Sequence, residues 1–164
     1  MQIAVRILAN TPIWVFALLV YLIWQGCLSL RSRTQPIWRM LSVPLVFFLM
    51  GLSRLVIARD NGLEPLLAWF VAALLFASWA LYRGGPRLLA VDRKSGQVTR
   101  PGSVVPLVRN ITVFVLQYAV AVATAMKLEP HAAVAIIGHA VSGASAGYFF
   151  CWAAVLVRRY LRGD

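Results

Sequence analysis

Residues 65–82 read PLLAWFVAALLFASWALY, 18 residues without a charged side chain and with proline at the first position. A helix rises 1.5 Å per residue and needs roughly 20 apolar residues to cross a hydrocarbon layer. Pro65 stands where a helix start has no use for its missing N–H. The run is therefore read as a membrane span. Composition supports the reading: 61% of the 164 residues are hydrophobic and 13% charged, against about half and about a quarter in a soluble domain. The mean hydropathy is +0.78. One soluble core could not hide so much apolar surface.

Four more runs flank this one, giving expected spans at 12–30, 40–58, 65–82, 105–126 and 131–157. Asn10 or Thr11 is an expected N-cap for the first, ahead of Pro12. The last is longer than a perpendicular crossing requires, and tilt absorbs the excess. The expected architecture is an all-α integral membrane protein, one domain over residues 1–164, built as a five-helix transmembrane bundle. Arg6 followed by Ile13–Ile23 resembles a signal peptide, but Trp24 and Gln25 are wrong for a cleavage site, so the first helix is expected to be retained. Cys27 and Cys151 are expected to be free, buried thiols, two being too few for a disulfide framework in reducing surroundings.

The charge is as lopsided as the hydropathy, with 16 Lys and Arg against 5 Asp and Glu. A net +11 points to nucleic acid only when it forms a patch on a polar folded domain, and here it punctuates apolar runs. Five crossings put Arg31, Arg33, Arg39, Arg83, Arg87, Arg93, Lys94, Arg100, Arg109, Arg158, Arg159 and Arg162 on one side and Arg6, Arg59 and Lys127 on the other. By the positive-inside rule the N-terminus is outside and the C-terminus cytoplasmic. Trp14, Trp24, Trp38, Trp69, Trp79 and Tyr82 fall near span ends, where amphipathic rings prefer the headgroup level.

Residues 83–103 form the one long polar connection. Leu88–Val91 is β-compatible, Asp92-Arg93-Lys94-Ser95-Gly96 is a turn sequence and Gln97–Thr99 can return, so a short cytoplasmic β-hairpin is expected between the third and fourth helices. Its basic residues Arg83, Arg87, Arg93, Lys94 and Arg100 suit contact with anionic lipid headgroups, each worth about 1 kcal/mol near a charged leaflet. No aromatic residue interleaves them, which argues against nucleic acid.

Polar residues within the spans are the candidate functional residues, because an ionisable group in hydrocarbon is costly. Arg54 lies about one turn from the outer end of the second span, within reach of Asp60 or Glu64. Gln117 lies mid-span in the fourth, and His139 about two turns into the fifth. The three could converge on one intramembrane polar site or serve only as interhelical hydrogen bonds. Gly138, Ser142, Gly143 and Gly147 set small residues four apart, a pattern for close helix approach, expected within the bundle rather than between copies. Haem is unsupported, the histidines being only His131 and His139 on one span. No nucleophile elbow, Walker loop, zincin motif, metal-spaced cluster or intramembrane carboxylate pair is present. The reading is no enzyme, no cofactor and no metal.

Arg100-Pro101-Gly102-Ser103-Val104-Val105-Pro106-Leu107, with Tyr118-Ala119-Val120 in the next helix, resembles a family of small, uncharacterised bacterial inner-membrane proteins. Those proteins are about this long, with an arginine late in the second helix and small residues in the last. The resemblance implies a bacterial inner-membrane location and a shared fold, and it carries over no site. Physically, Ser103 suits a cap and Pro106 a first turn. The expected role is an interaction or accessory protein, with a lipid bilayer and a second copy or another membrane protein as partners; the alternatives are a small transporter and, behind it, a membrane enzyme.

Overall fold

A computed structural model describes residues 7, 9–57 and 62–163. Among these, the chain runs α1 (Ile13–Leu28), β1 (Arg33–Pro36), α2 (Ile37–Ile57), α3 (Leu63–Tyr82), β2 (Ala90–Asp92), β3 (Gln97–Arg100), α4 (Val105–Ala125) and α5 (His131–Arg162). The helices α2 to α5 are each long and apolar enough to cross a membrane. At 16 residues α1 is shorter than the expected span 12–30 and falls below that length. The other boundaries shift by a few residues: α2 begins at Ile37, directly after β1, and α5 continues to Arg162 through the basic residues that were expected to lie beyond the span.

The connection 83–103 does form a hairpin, but it is two-thirds of a sheet. β1, from the α1–α2 connection, pairs antiparallel with β3, and the strand order is β1-β3-β2. Arg33-Thr34-Gln35-Pro36 carries no strand signal of its own; pairing with β3 supplies it. The sheet stands at the end of the bundle where α1, α3 and α5 finish and α2 and α4 begin. One of its faces carries Thr34 and Thr99, whose hydroxyls bond at 2.6 Å. The other carries Gln35, Val98, Arg33 and Arg100 and turns to the bundle, with Val98 packed among Met40, Trp152 and Leu156.

The turn is formed as its chemistry requires. Asp92 Oδ1 accepts from Lys94 N at 3.0 Å, Ser95 Oγ donates to Asp92 Oδ2 at 2.6 Å, and Gly96 takes φ +68°. The segment Pro101-Gly102-Ser103 then docks on the end of α1. Ser103 N donates to Ser29 O at 2.8 Å, Ser29 Oγ to Ser103 O at 3.1 Å, and a Cβ on Gly102 would overlap the Leu30 carbonyl. Val104, rather than Ser103, is the N-cap of α4, although the Ser103 hydroxyl still accepts the Val105 N–H at 3.2 Å. Pro106 lies in the first turn.

Between the helices the core is aromatic. Phe47 of α2 and Phe149 of α5 are both fully buried and stack at 4.9 Å, with Leu22, Val43 and Phe114 around them. The outer surface is apolar as well: on α3, Leu74 is 68% and Leu75 64% exposed. Apolar helix surface exposed on this scale suits contact with lipid. Trp14, Trp24, Trp38, Trp79 and Tyr82 lie exposed near helix ends. Trp69 does not share that placement; it is buried at 7% exposure, inside the bundle. Cys151 is half-buried, but Cys27 is exposed rather than buried, and the two are not bridged.

Candidate functional site

The middle of the bundle is held by small residues and shared carbonyls. A Cβ on Gly143 would overlap the carbonyl of Trp69, and one on Gly147 that of Ala73, so the backbones of α5 and α3 touch. On the other side, a Cβ on Gly51 would come 2.8 Å from the Ser142 carbonyl oxygen, which brings α2 equally near. Where the three helices meet, the Gly51 carbonyl accepts Ser142 Oγ at 2.9 Å and Trp69 Nε1 at 3.1 Å. Gln117 of α4 donates to Ser145 Oγ at 3.0 Å, and Ser145 Oγ donates to Ser142 O at 2.9 Å. Each of these side chains is buried and each has a partner.

Gln117 is therefore engaged with Ser145, six residues along α5 from His139, or about 9 Å of helix rise. It is Val120 of α4 and Arg54 of α2 that lie against Gly138, where an added Cβ would meet them at 2.8 and 2.9 Å. Arg54 of α2 thus lies against the residue that precedes His139 on α5, and Gln117 belongs to a separate cluster. His139 is 4% exposed; its Nδ1 donates to the Ala135 carbonyl at 2.7 Å, a carbonyl being able only to accept. Its Nε2 is buried without a partner among the described residues. Arg54 makes no ion pair with Glu64 among the described residues. Asp60, its other expected partner, lies outside them.

The five basic residues of the 83–103 connection have separate surroundings. Arg83 is exposed beside the Trp79 ring at 5.6 Å, and Lys94 is exposed in the turn. Arg87 lines a shallow cleft with Leu88, Leu89, Pro101 and Arg159. Arg93 Nε donates to the Tyr160 carbonyl at 3.1 Å, and Arg159 Nη1 to the Pro86 carbonyl at 2.7 Å, which ties the connection to the last turns of α5. Arg100 turns toward the bundle, and its Nε is buried without a hydrogen bond. A second cleft, at the opposite end, is lined by Gly62–Pro65, His131, Ala132, Ala135 and Ile136. Neither cleft reaches Arg54, Gln117 or His139.

Two arginines beyond the expected candidates complete the picture. Arg109, counted from sequence with the basic loops, stands inside α4 with its guanidinium over the rings of Phe149 and Trp152, both at 4.8 Å, and Tyr148 at 5.5 Å. Its Nε donates to Asn110 Oδ1 at 3.2 Å. The signal was present in two halves, an arginine within the first turns of a helix and a ring triplet at positions 148, 149 and 152, which share a helix face. Arg33 pairs directly across from Arg100 in the β1–β3 ladder and donates to Gln35 Oε1. Burial, then the Arg39 charge, holds the Arg33 guanidinium below its usual pKa; burial, then the charges of Arg33 and Arg109, does the same to Arg100.

Compared with known proteins, residues 1–162 match the model of a family of unknown function, DUF6622. No curated protein and no solved structure matches the chain.

Proposed function

The chain belongs to this family of unknown function, and from its own residues we propose that it is a multi-pass protein of the bacterial inner membrane that acts as an interaction or accessory protein, without chemistry of its own. In this reading α1 is a fifth crossing, the N-terminus is outside, and the sheet end with the C-terminus is cytoplasmic. Exposed basic residues of the 83–103 connection then face anionic headgroups. The observation that carries the reading is the polar interior. Gln117, Ser142, Ser145 and Trp69 are used up in bonds to one another and to the Gly51 carbonyl, which is how polar side chains join helices rather than how they bind a substrate. Fusion of a periplasm-dependent reporter after Gly96 or Gly163 is expected to give no signal, and fusion at Gly62 a strong one. Activity at Gly163 would overturn the five-crossing orientation.

A second reading, a small transporter or permeation subunit, has one specific observation in its favour: the unpartnered Nε2 of buried His139 next to the residue that Arg54 covers. Purified protein in liposomes carrying a pH-sensitive dye separates the two. The accessory reading expects a proton leak equal to that of empty liposomes. A flux that His139→Gln abolishes would replace it with the second reading.

A further inference from the structure

We propose that Arg33, Arg100 and Arg109 form a binding site for a phosphate group at the sheet end of the bundle. The first two stand opposite each other on the bundle-facing side of the sheet, where directly paired side chains have Cβ atoms about 5 Å apart and like charges are destabilising. Arg109 enters from α4, fixed over the rings of α5; Trp152 belongs both to that ring set and to the cluster that packs under Val98. All three guanidiniums keep donors unspent. Arg33 uses one on Gln35, Arg109 one on Asn110 and another toward the Tyr148 hydroxyl, and the Nε of Arg100 is buried with no acceptor.

What is missing is the counter-charge. Among the described residues the carboxylates are Glu64, Asp92 and Glu129. Asp92 is turned into its own hairpin, Glu129 pairs with His131 at 2.7 Å at the opposite end, and Glu64 lines the far cleft. Partly desolvated guanidiniums without an acid, with Arg100 in the field of both Arg33 and Arg109, are a costly arrangement for packing alone. They are a suitable one for a tetrahedral anion, whose oxygens accept from planar forks in pairs. Two carriers share that chemistry, a phospholipid headgroup and a soluble phosphate or phosphate ester. The site itself does not depend on the membrane reading; that reading bears only on the carrier, because it places these arginines at headgroup depth.

The test uses full-length protein in a neutral detergent at fixed ionic strength. Melting temperature is followed against inorganic phosphate, and native mass spectrometry counts retained phosphatidylglycerol against phosphatidylcholine. The expected result is stabilisation by one carrier and not by matched sodium chloride, with apparent affinity about tenfold weaker or worse in Arg100→Gln and unchanged in the exposed control Arg158→Gln. Should Arg100→Gln fail to fold, Arg100→Lys keeps the charge, loses the fork and is expected to weaken binding in the same direction. Stabilisation matched by sodium chloride, or equal in the wild type and all three variants, overturns the site. Preference for phosphatidylglycerol assigns it to a headgroup and response to inorganic phosphate to a soluble anion. Recovery of the protein from cells in the soluble fraction without detergent would sink the membrane reading and leave the phosphate titration standing.

Discussion

The middle of the bundle and its sheet end are built from the same material, polar side chains removed from water, and they are balanced in opposite ways. At the middle, three helices converge on the Gly51 carbonyl and every donor described there has an acceptor. At the sheet end, Arg33 spends a donor on Gln35 and Arg109 spends donors on Asn110 and Tyr148, which leaves both with donors over, and the Arg100 Nε has no acceptor. Closed hydrogen-bond accounts mark structure; surplus donors of one sign mark a place where something else belongs. The contrast also explains why the polar residues easiest to single out within an apolar run need not be the functional ones. Gln117 is conspicuous in the sequence and is bonded to Ser145 in the fold.

The comparison breaks first if the middle tolerates change. Gly143→Leu puts a side chain where the Trp69 carbonyl already lies, and neither backbone can yield without separating α3 from α5. The expected loss is about 3 kcal/mol or more, read as a collapsed melting transition in detergent; a wild-type melting temperature would mean that the two helices do not touch. Ser142→Ala is expected to cost about 1 kcal/mol, the usual net worth of one such bond, because Trp69 Nε1 still satisfies the Gly51 carbonyl.

At the sheet end the sign reverses. Arg33→Gln removes one member of a directly opposed pair of like charges and is expected to raise stability in phosphate-free buffer. Arg33 is only partly buried, so solvent screening holds the gain to less than about 1 kcal/mol. It should shrink further as salt is added. Destabilisation by Arg33→Gln in the absence of any phosphate would erase the difference between the two regions.

How much of this was legible beforehand follows the range of the interactions. The apolar runs and the Asp92–Gly96 turn are local signals, and α2 to α5 and the β2–β3 hairpin appear where those signals stand. Strand β1 has no local signal, since Arg33-Thr34-Gln35-Pro36 becomes a strand only by pairing with residues more than sixty positions away. Trp69 departs from its expected place for a related reason: a tryptophan near the start of an apolar run suits both a headgroup belt and a buried indole N–H. Only the position of Gly51 selects the second. The same holds for the site. Arg54 was conspicuous because it interrupts an apolar run, whereas Arg100 and Arg109 were hidden among basic neighbours that look alike in sequence. They differ by which side of a sheet or helix they occupy.

The smallest expected effect concerns the turn that holds the sheet together, and it has a definite sign in pH. Hydrogen bonds from the Ser95 hydroxyl first, then from the Ser95 and Lys94 backbone N–H groups, hold the Asp92 carboxyl below its ordinary value of 3.8, a slight desolvation acting the other way. A carboxyl whose pKa is lower folded than unfolded adds stability above the unfolded value, and that stability disappears as pH falls through the folded one. Acidification from pH 5 to below the ordinary carboxylate range should therefore loosen the hairpin, seen as faster amide exchange at Lys94 and Ser95. Asp92→Asn, which keeps an acceptor but cannot ionise, should flatten that dependence. The middle of the bundle, with no described carboxylate, should show no matching change over the same range. A parallel loosening at Ser142 would mean that the sheet end and the middle unfold as one unit, and the contrast between them would then be one of chemistry without independent stability.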